Sequence, residues 1–253
     1  MLDEDQRVRA AELSALHRPG TPLVLPNAWD AASARAVEAA GFAAVATSSA
    51  AVAESLGYSD GEAAPALEML DAVERIVRAV HVPVTADLER GYGMAPATLV
   101  ERLAATGAVG CNLEDSDPRT GRLIDADEQA AFLSDVRSAA RTAGLDLVVN
   151  ARIDTYLMDA RPDDPLGDAI RRARAYRQAG ADCVYPIMVS DRGVIGRLVE
   201  QAGAPVNVLH RPDDPAAPRI AELAGLGVAR ISFGPGLYRA TQAKLADLLT
   251  QIW

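Results

Sequence analysis

The sequence predicts one α/β domain over residues 1–253, a closed (β/α)8 barrel of the TIM type. Three observations carry this reading. A chain of 253 residues falls between one and two domains at the usual figure of about 150 each, and the closed barrel is the main one-domain fold of that size. Short β-rich apolar runs alternate with alanine- and leucine-rich stretches of helical period, eight times over. The turn after the first run, Pro26-Asn27-Ala28-Trp29-Asp30, lacks the glycine fingerprint of an open dinucleotide-binding sheet.

The elements follow in order. Residues 3–18 read as a helix ahead of the barrel. The strands are Leu23–Asn27, Ala43–Ser49, Val82–Glu89, Gly110–Ser116, Leu147–Asp154, Cys183–Met188, Pro205–His210 and Ala229–Gly234. Helices are expected near 30–40, 65–80, 95–106, 125–143, 164–179, 191–202, 214–226 and 235–251. Gly41, Gly107, Gly180 and Gly227 end helices just before strands, where a left-handed residue turns the chain back. Arg161-Pro-Asp-Asp-Pro165 and Arg211-Pro-Asp-Asp-Pro215 read as turn chemistry.

Composition removes several functions. A net charge of −10 repels phosphates, so neither nucleic acid nor an anionic membrane is an expected partner. Lys244 is the sole lysine, which argues against Schiff-base chemistry. Cys111 and Cys183 lie in apolar runs and form no disulfide framework. His17 and His81 are expected on the surface, and no zinc-binding His pair is present. The acidic start without an apolar run predicts a cytoplasmic protein.

In such barrels chemistry sits at the C-terminal strand ends. Those ends supply Asn27 and Trp29, Ser48 and Ser49, Asp87 and Glu89, Glu114 and Asp115, Arg152 and Asp154, and Asn207, with Asp60 from the second loop. Asp87 and Glu89 alternate along one strand, so both face the mouth. Carboxylates this crowded need a cation, and hard oxygen ligands suit Mg2+ (or Mn2+) with several retained waters. Arg152 reads as a clamp for a carboxylate, or else as a salt bridge to a neighbour such as Asp154. Asp115 reads equally as a site residue or as a supporting or capping one.

The segments Leu25-Pro-Asn-Ala-Trp-Asp30, Gly57-Tyr-Ser-Asp60, Thr85-Ala-Asp-Leu-Glu-Arg-Gly-Tyr-Gly93, Gly110-Cys-Asn-Leu-Glu-Asp-Ser116 and Asn150-Ala-Arg-Ile-Asp154 resemble the isocitrate lyase/phosphoenolpyruvate mutase superfamily. The resemblance spans nearly the whole chain. It implies a barrel that binds Mg2+ and a 2-oxo or 2-hydroxy acid. Asp87 would be the direct metal ligand, with Asp60, Glu89 and Glu114 acting mostly through water. Ser48, Ser49 and Arg152 would hold the substrate carboxylate, Trp29 would wall the pocket, and Asn207 joins the substrate-binding candidates. Arg152, Glu114 and Tyr92 are the catalytic candidates, Tyr92 as a base by position. The resemblance also implies a homodimer or homotetramer that exchanges the last helix, 235–251.

Where the superfamily's lyases carry a Lys-Lys/Arg-Cys-Gly-His loop, this chain has Ser116-Asp-Pro-Arg-Thr-Gly-Arg122. The phosphoryl mutases' lysine, asparagine and histidine are replaced by about Arg119, Thr120 and Ile187. The expected activity is therefore a Mg2+-dependent carbon–carbon lyase or decarboxylase on a small oxaloacetate- or methylisocitrate-like acid, through a pyruvate-type enolate. The alternatives are phosphonopyruvate or phosphoenolpyruvate chemistry, and a non-catalytic 2-oxo acid binder.

Overall fold

The structure, a computed structural model, describes residues 4–157 and 162–252. Asp3, the expected first residue of the leading helix, and Arg161 of the first Pro-Asp-Asp-Pro turn lie outside them. Pro26 splits the first strand because it has no N–H to give to a ladder. Its two pieces face different neighbours: β1 (Leu23–Leu25) pairs with β11 (Arg230–Ser232), and β2 (Asn27–Ala28) pairs with β3 (Val45–Thr47). From β3 the parallel ladder runs through β4 (Val84–Asp87), β5 (Gly110–Glu114), β8 (Val148–Ile153) and β9 (Cys183–Pro186). A bridge between Val184 and Val206, and β10 (Asn207–Leu209) beside β11, close the barrel.

The outer helices are α2 (Ala31–Ala39), α4 (Ala66–Val77), α5 (Pro96–Thr106), α6 (Ala126–Ala143), α7 (Pro165–Gln178), α8 (Arg192–Gln201), α9 (Ile220–Gly225) and α10 (Gly236–Thr250). All but α10 bury apolar residues against the sheet; α4 buries Leu70, Val73, Ile76 and Val77. Asp30, Asp125, Asp164 and Asp191 cap α2, α6, α7 and α8 by accepting backbone N–H groups. Part of the acidic balance is therefore capping.

Before the barrel, α1 (Glu4–Ala15) closes its floor. Leu13 is fully buried there, and a Cβ on Gly110 would lie 2.8 Å from Leu13 Cδ2 and 2.8 Å from Thr85 Oγ1. Glycine at 110 is what lets the helix approach. Above it the wholly buried Arg230 donates to Asn112 Oδ1 at 3.2 Å. His17, expected on the surface, is instead half-buried with Nε2 3.5 Å from Arg230 Nη1. Burial and the Arg230 charge push its pKa down to about 4.

Two elements were not expected. The run after strand two starts a helix, α3 (Ser49–Leu56), because Ser48 caps it and Gly57 ends it at φ 89. Residues 116–123 form a small antiparallel hairpin, β6 (Ser116–Asp117) with β7 (Arg122–Leu123). The expected helix at 214–226 shrinks to α9 because Pro215 and Pro218 delay its start. Among the described residues no helix is long and apolar enough to cross a membrane. The last helix, α10, buries none of its residues, and Leu245, Leu248 and Leu249 are each about half exposed.

Candidate active site

A cavity of about 670 Å³ opens at the C-terminal mouth of the barrel. Asn27, Ser48, Ser49, Asp87 and Arg152 line its inner end, and the exposed Asp60 stands at its lip. A larger groove, about 820 Å³, lies beside the C-terminal end of α5, at the opposite end of the strands. The strand-end chemistry points to the first of these.

Asp87 ends β4 and is only partly buried. Its Oδ2 accepts from Ser49 N–H at 3.0 Å and from Ser49 Oγ at 2.9 Å. Its Oδ1 faces Asn112 Nδ2 at 3.4 Å, and its own N–H donates to Thr47 Oγ1 at 2.8 Å. The first turn of α3 thus aims an N-terminal N–H and the positive end of the helix dipole at this carboxylate. Ser49 Oγ also reaches Asp60 Oδ1 at 3.4 Å, which ties the two acids to one hydroxyl. The unexpected helix is what turns Ser48 and Ser49 from strand residues into a cap and an anion-facing turn.

Glu89 and Glu114 stand differently. Glu89, at φ 50, accepts from Glu62 N–H at 2.6 Å and from Tyr92 Oη at 2.8 Å. Tyr92 N–H in turn donates to Glu62 at 2.6 Å. Glu62, Glu89 and Tyr92 are all non-glycine residues in the left-handed region, so strain collects on the two loops that flank the mouth. Glu114 pairs with Arg152 Nη1 at 2.6 Å, directly across the β5–β8 register. Neither glutamate lines the cavity, so either would reach a cation there only through water.

The electrostatics follow the crowding. Desolvation at the cavity lip, then Asp87, raises the Asp60 pKa. Burial, reinforced by Asp60 and Asp87, lifts Glu89 to about 7 against the pull of the Tyr92 hydrogen bond. Glu114 is raised by burial and by Asp154, Asp87 and Glu89, with Arg152 opposing. Three acids that resist ionisation around one opening mark a place built for positive charge. Among the described residues no three acidic, histidine or cysteine side chains form a ready cage. The donor set is still that of a hard cation that keeps most of its water: all oxygen, with Asp87 and Asp60 joined through Ser49.

Arg152 lines the cavity while pairing with Glu114 and, through Nε, with Asp154 Oδ1 at 2.6 Å. The clamp and the salt bridge are therefore one side chain. Asp154 is held by Ser116 Oγ at 2.6 Å and Asp115 by Arg172, Tyr176 and the Asp154 N–H, so Asp115 is a supporting residue.

Three expected site residues lie elsewhere. Trp29 packs edge-on against Tyr238, ring centroids 5.2 Å apart, and leans on the Val52–Ala72 cluster rather than the cavity. Asn207 is fully buried and bonds Ser232 Oγ at 3.2 Å; its neighbour Leu209 faces the cavity instead. Tyr92 donates its hydroxyl proton to Glu89, and burial followed by the Glu89 charge drives its pKa up, which unsuits it as a base. Burial likewise lifts Cys111 and Cys183 to about 12. The sequence reading missed Tyr185, Met188, Phe233 and Arg239, which line the cavity beside Ile187, the residue at about the place of the mutases' histidine. Strand-end polarity could not flag them because most are apolar.

Fold and mouth together define a barrel enzyme site in which carboxylates and an arginine face one opening. A family model described as phosphoenolpyruvate phosphomutase matches residues 13–253, and the chain belongs to that family, within the isocitrate lyase/phosphoenolpyruvate mutase superfamily of lyases and mutases. Rv1998c of Mycobacterium tuberculosis (strain ATCC 25618 / H37Rv) is 36% identical over 236 residues, covering 91% of this chain and 86% of its own. A candidate phosphonomutase from Burkholderia cenocepacia J2315 is 42% identical, with a TM-score of 0.91 over 98% of this chain and 100% of that one. A 2,3-dimethylmalate lyase structure is 28% identical, with a TM-score of 0.84 over 96% and 84% of the two chains.

Proposed function

We propose that this chain is a Mg2+-dependent carbon–carbon lyase or decarboxylase acting on a small 2-oxo or 2-hydroxy di- or tricarboxylate, oxaloacetate- or methylisocitrate-like. The observation that carries this is the convergence of Asp87, Asp60, Ser49 and Arg152 on one cavity. A hard divalent cation held at Asp87 and Asp60, with Mn2+ as a substitute, would act as a Lewis acid toward the 2-oxo oxygen. The chain's own residues bind and orient: Ser48, Ser49 and Arg152 offer donors to the substrate carboxylate, and Arg152 is kept in place by Glu114 and Asp154.

In oxaloacetate cleavage breaks the C3–C4 bond and leaves its electron pair on C3 of the pyruvate enolate. In a methylisocitrate-like acid the C2–C3 bond breaks, its electron pair stays on the succinate portion, and the 2-hydroxyl loses its proton to become the carbonyl of pyruvate. In oxaloacetate the departing group is carbon dioxide, which needs no acid, and C3 takes a proton afterwards. This suits a cavity whose described lining holds no Cys, His or Lys. Pyruvate release from oxaloacetate and from methylisocitrate, with Mg2+ and with EDTA, tests the reading. Metal-dependent release from either supports it; none from both removes it.

The family model and the 42% identical relative favour a second reading, phosphonopyruvate or phosphoenolpyruvate chemistry. Phosphorus NMR of either compound with the protein would show isomerisation or phosphate release. We further propose a homodimer or homotetramer in which α10, with no residue buried in its own barrel, packs against a second copy. Light scattering after size exclusion would show a monomer if this is wrong.

A further inference from the structure

The outer half of the cavity is a different material from its inner end. Beyond Asp87 and Arg152 the walls are Leu157, Ile187, Met188, Leu209 and Phe233. Leu157 and Met188 are each 40% exposed although large and apolar, so both present surface to whatever fills the opening. Met188 does so from a left-handed backbone, φ 67, a conformation that costs energy in any residue but glycine. Three charged residues, Arg211, Asp213 and Arg239, also border this half, and both arginines have carboxylate neighbours. Arg211 pairs with Asp214 at 2.6 Å, and Arg239 lies 3.6 Å from Glu54. Size points the same way: about 670 Å³ lies in the ~300–1,000 Å³ range of clefts that enclose drug-sized ligands, well beyond a four-carbon acid.

We infer that the outer half selects a 2-oxo or 2-hydroxy acid whose C3 carries a bulky apolar substituent, a branched alkyl or aryl group, packed against Leu157, Met188 and Phe233. This rests on the proposal that the acid head group sits at Asp87 and Arg152. A small polar acid would leave the apolar wall wet, whereas each methylene buried there is worth roughly a fourfold gain in affinity. Met188 and Leu157 become specificity-determining residues.

Isothermal titration of the Mg2+-loaded protein with oxalate, pyruvate, 4-methyl-2-oxopentanoate and phenylpyruvate tests this. The two bulky acids are expected to bind at least tenfold more tightly than pyruvate. Met188→Asp should cut that advantage below threefold, with the loss falling on the bulky acids and not on oxalate, which is too short to reach the wall. Leu157→Asp is the second variant, read the same way. If oxalate binds but the bulky acids bind no better than pyruvate, or if both variants keep the advantage, the inference is overturned while the head-group proposal stands. If oxalate and pyruvate fail to bind in the presence of Mg2+, the head-group proposal falls and takes the inference with it.

Discussion

Asp87 and Asp115 lie at the ends of neighbouring strands, in similar apolar surroundings, and the fold uses them in opposite ways. Asp115 is wholly buried and meets a full set of partners: Arg172 Nη1 at 3.0 Å, Tyr176 Oη at 2.6 Å and Asp154 N–H at 2.8 Å. Asp87 is held only by neutral donors, Ser49 and Asn112, and one side of it faces open space. A buried carboxylate with its own guanidinium is finished structure; one held in place without a cation is waiting for one. Strand position does not separate the two. The partner inventory does.

The largest expected effect breaks the finished side. Asp115→Ala leaves Arg172 buried without one of its two carboxylates and should cost about 3–5 kcal/mol, toward the lower end because Asp168 still holds Nε at 2.8 Å. Urea unfolding measures it. A loss below about 1 kcal/mol would mean that the cluster around Asp115 is no more closed than the mouth.

The next effect reads strain on the open side. Glu89 is raised to about 7 in the folded state and returns to its ordinary value when unfolded. Between those values the native protein holds a proton that the unfolded chain has released, so stability falls as pH rises through that window. The shift corresponds to about 3 kcal/mol, present in full below pH ~4.5 and lost above ~7. His17 has the opposite slope: its pKa falls to about 4, so its contribution is present above ~6.5 and is lost as pH drops toward 4. The two nearly cancel in the wild type. The measurement is therefore the difference between Glu89→Gln and wild type in EDTA from pH 4 to 8, which should widen with pH in favour of the variant. A difference that stays flat would mean that the mouth carries no strain.

Asp87→Ala should do the reverse of the Asp115 change. Stability should move by no more than about 1 kcal/mol, because no buried ion pair is broken. Mg2+ affinity should drop at least ~100-fold, beyond the 10–100-fold typical of residues that merely support ligands. Titration calorimetry decides it, and equal affinity in the variant would remove Asp87 as a ligand.

These contrasts also explain what was legible in the sequence. The barrel was readable because alternation of period two and 3.6 with helix-ending glycines is a local signal. Asp87, Asp60, Ser48, Ser49 and Arg152 were readable as polar breaks at strand ends, and they do share the cavity. Helix α3 was hidden because Ser48-Ser49-Ala50 continues an apolar run, so its start depends on one capping contact. Trp29, Tyr92 and Asn207 were misplaced because side-chain direction at a strand end depends on what packs there: Tyr238 for Trp29, Glu89 for Tyr92 and Ser232 for Asn207. The apolar half of the cavity left no trace in the sequence, since Leu157 and Met188 resemble core residues until the fold leaves them open.

The smallest effect compares two tyrosines. Tyr176 donates to Asp115 at 2.6 Å and accepts from Arg172 at 3.1 Å, within a closed network. Tyr92 donates to Glu89 at 2.8 Å beside the open mouth. Tyr176→Phe strips one donor from a buried carboxylate and should cost about 1–2 kcal/mol at neutral pH. Tyr92→Phe removes the hydrogen bond that favours ionised Glu89, so near pH 5, where Glu89 is protonated in the fold, it should cost less than about 1 kcal/mol. Its cost should grow above pH 7, because the Glu89 pKa rises further once its donor is gone. Paired unfolding curves at pH 5 and pH 8 measure this. A pH-independent cost at Tyr92 would place it in the same kind of closed network as Tyr176, and the distinction between the two regions would then rest on Asp87 alone.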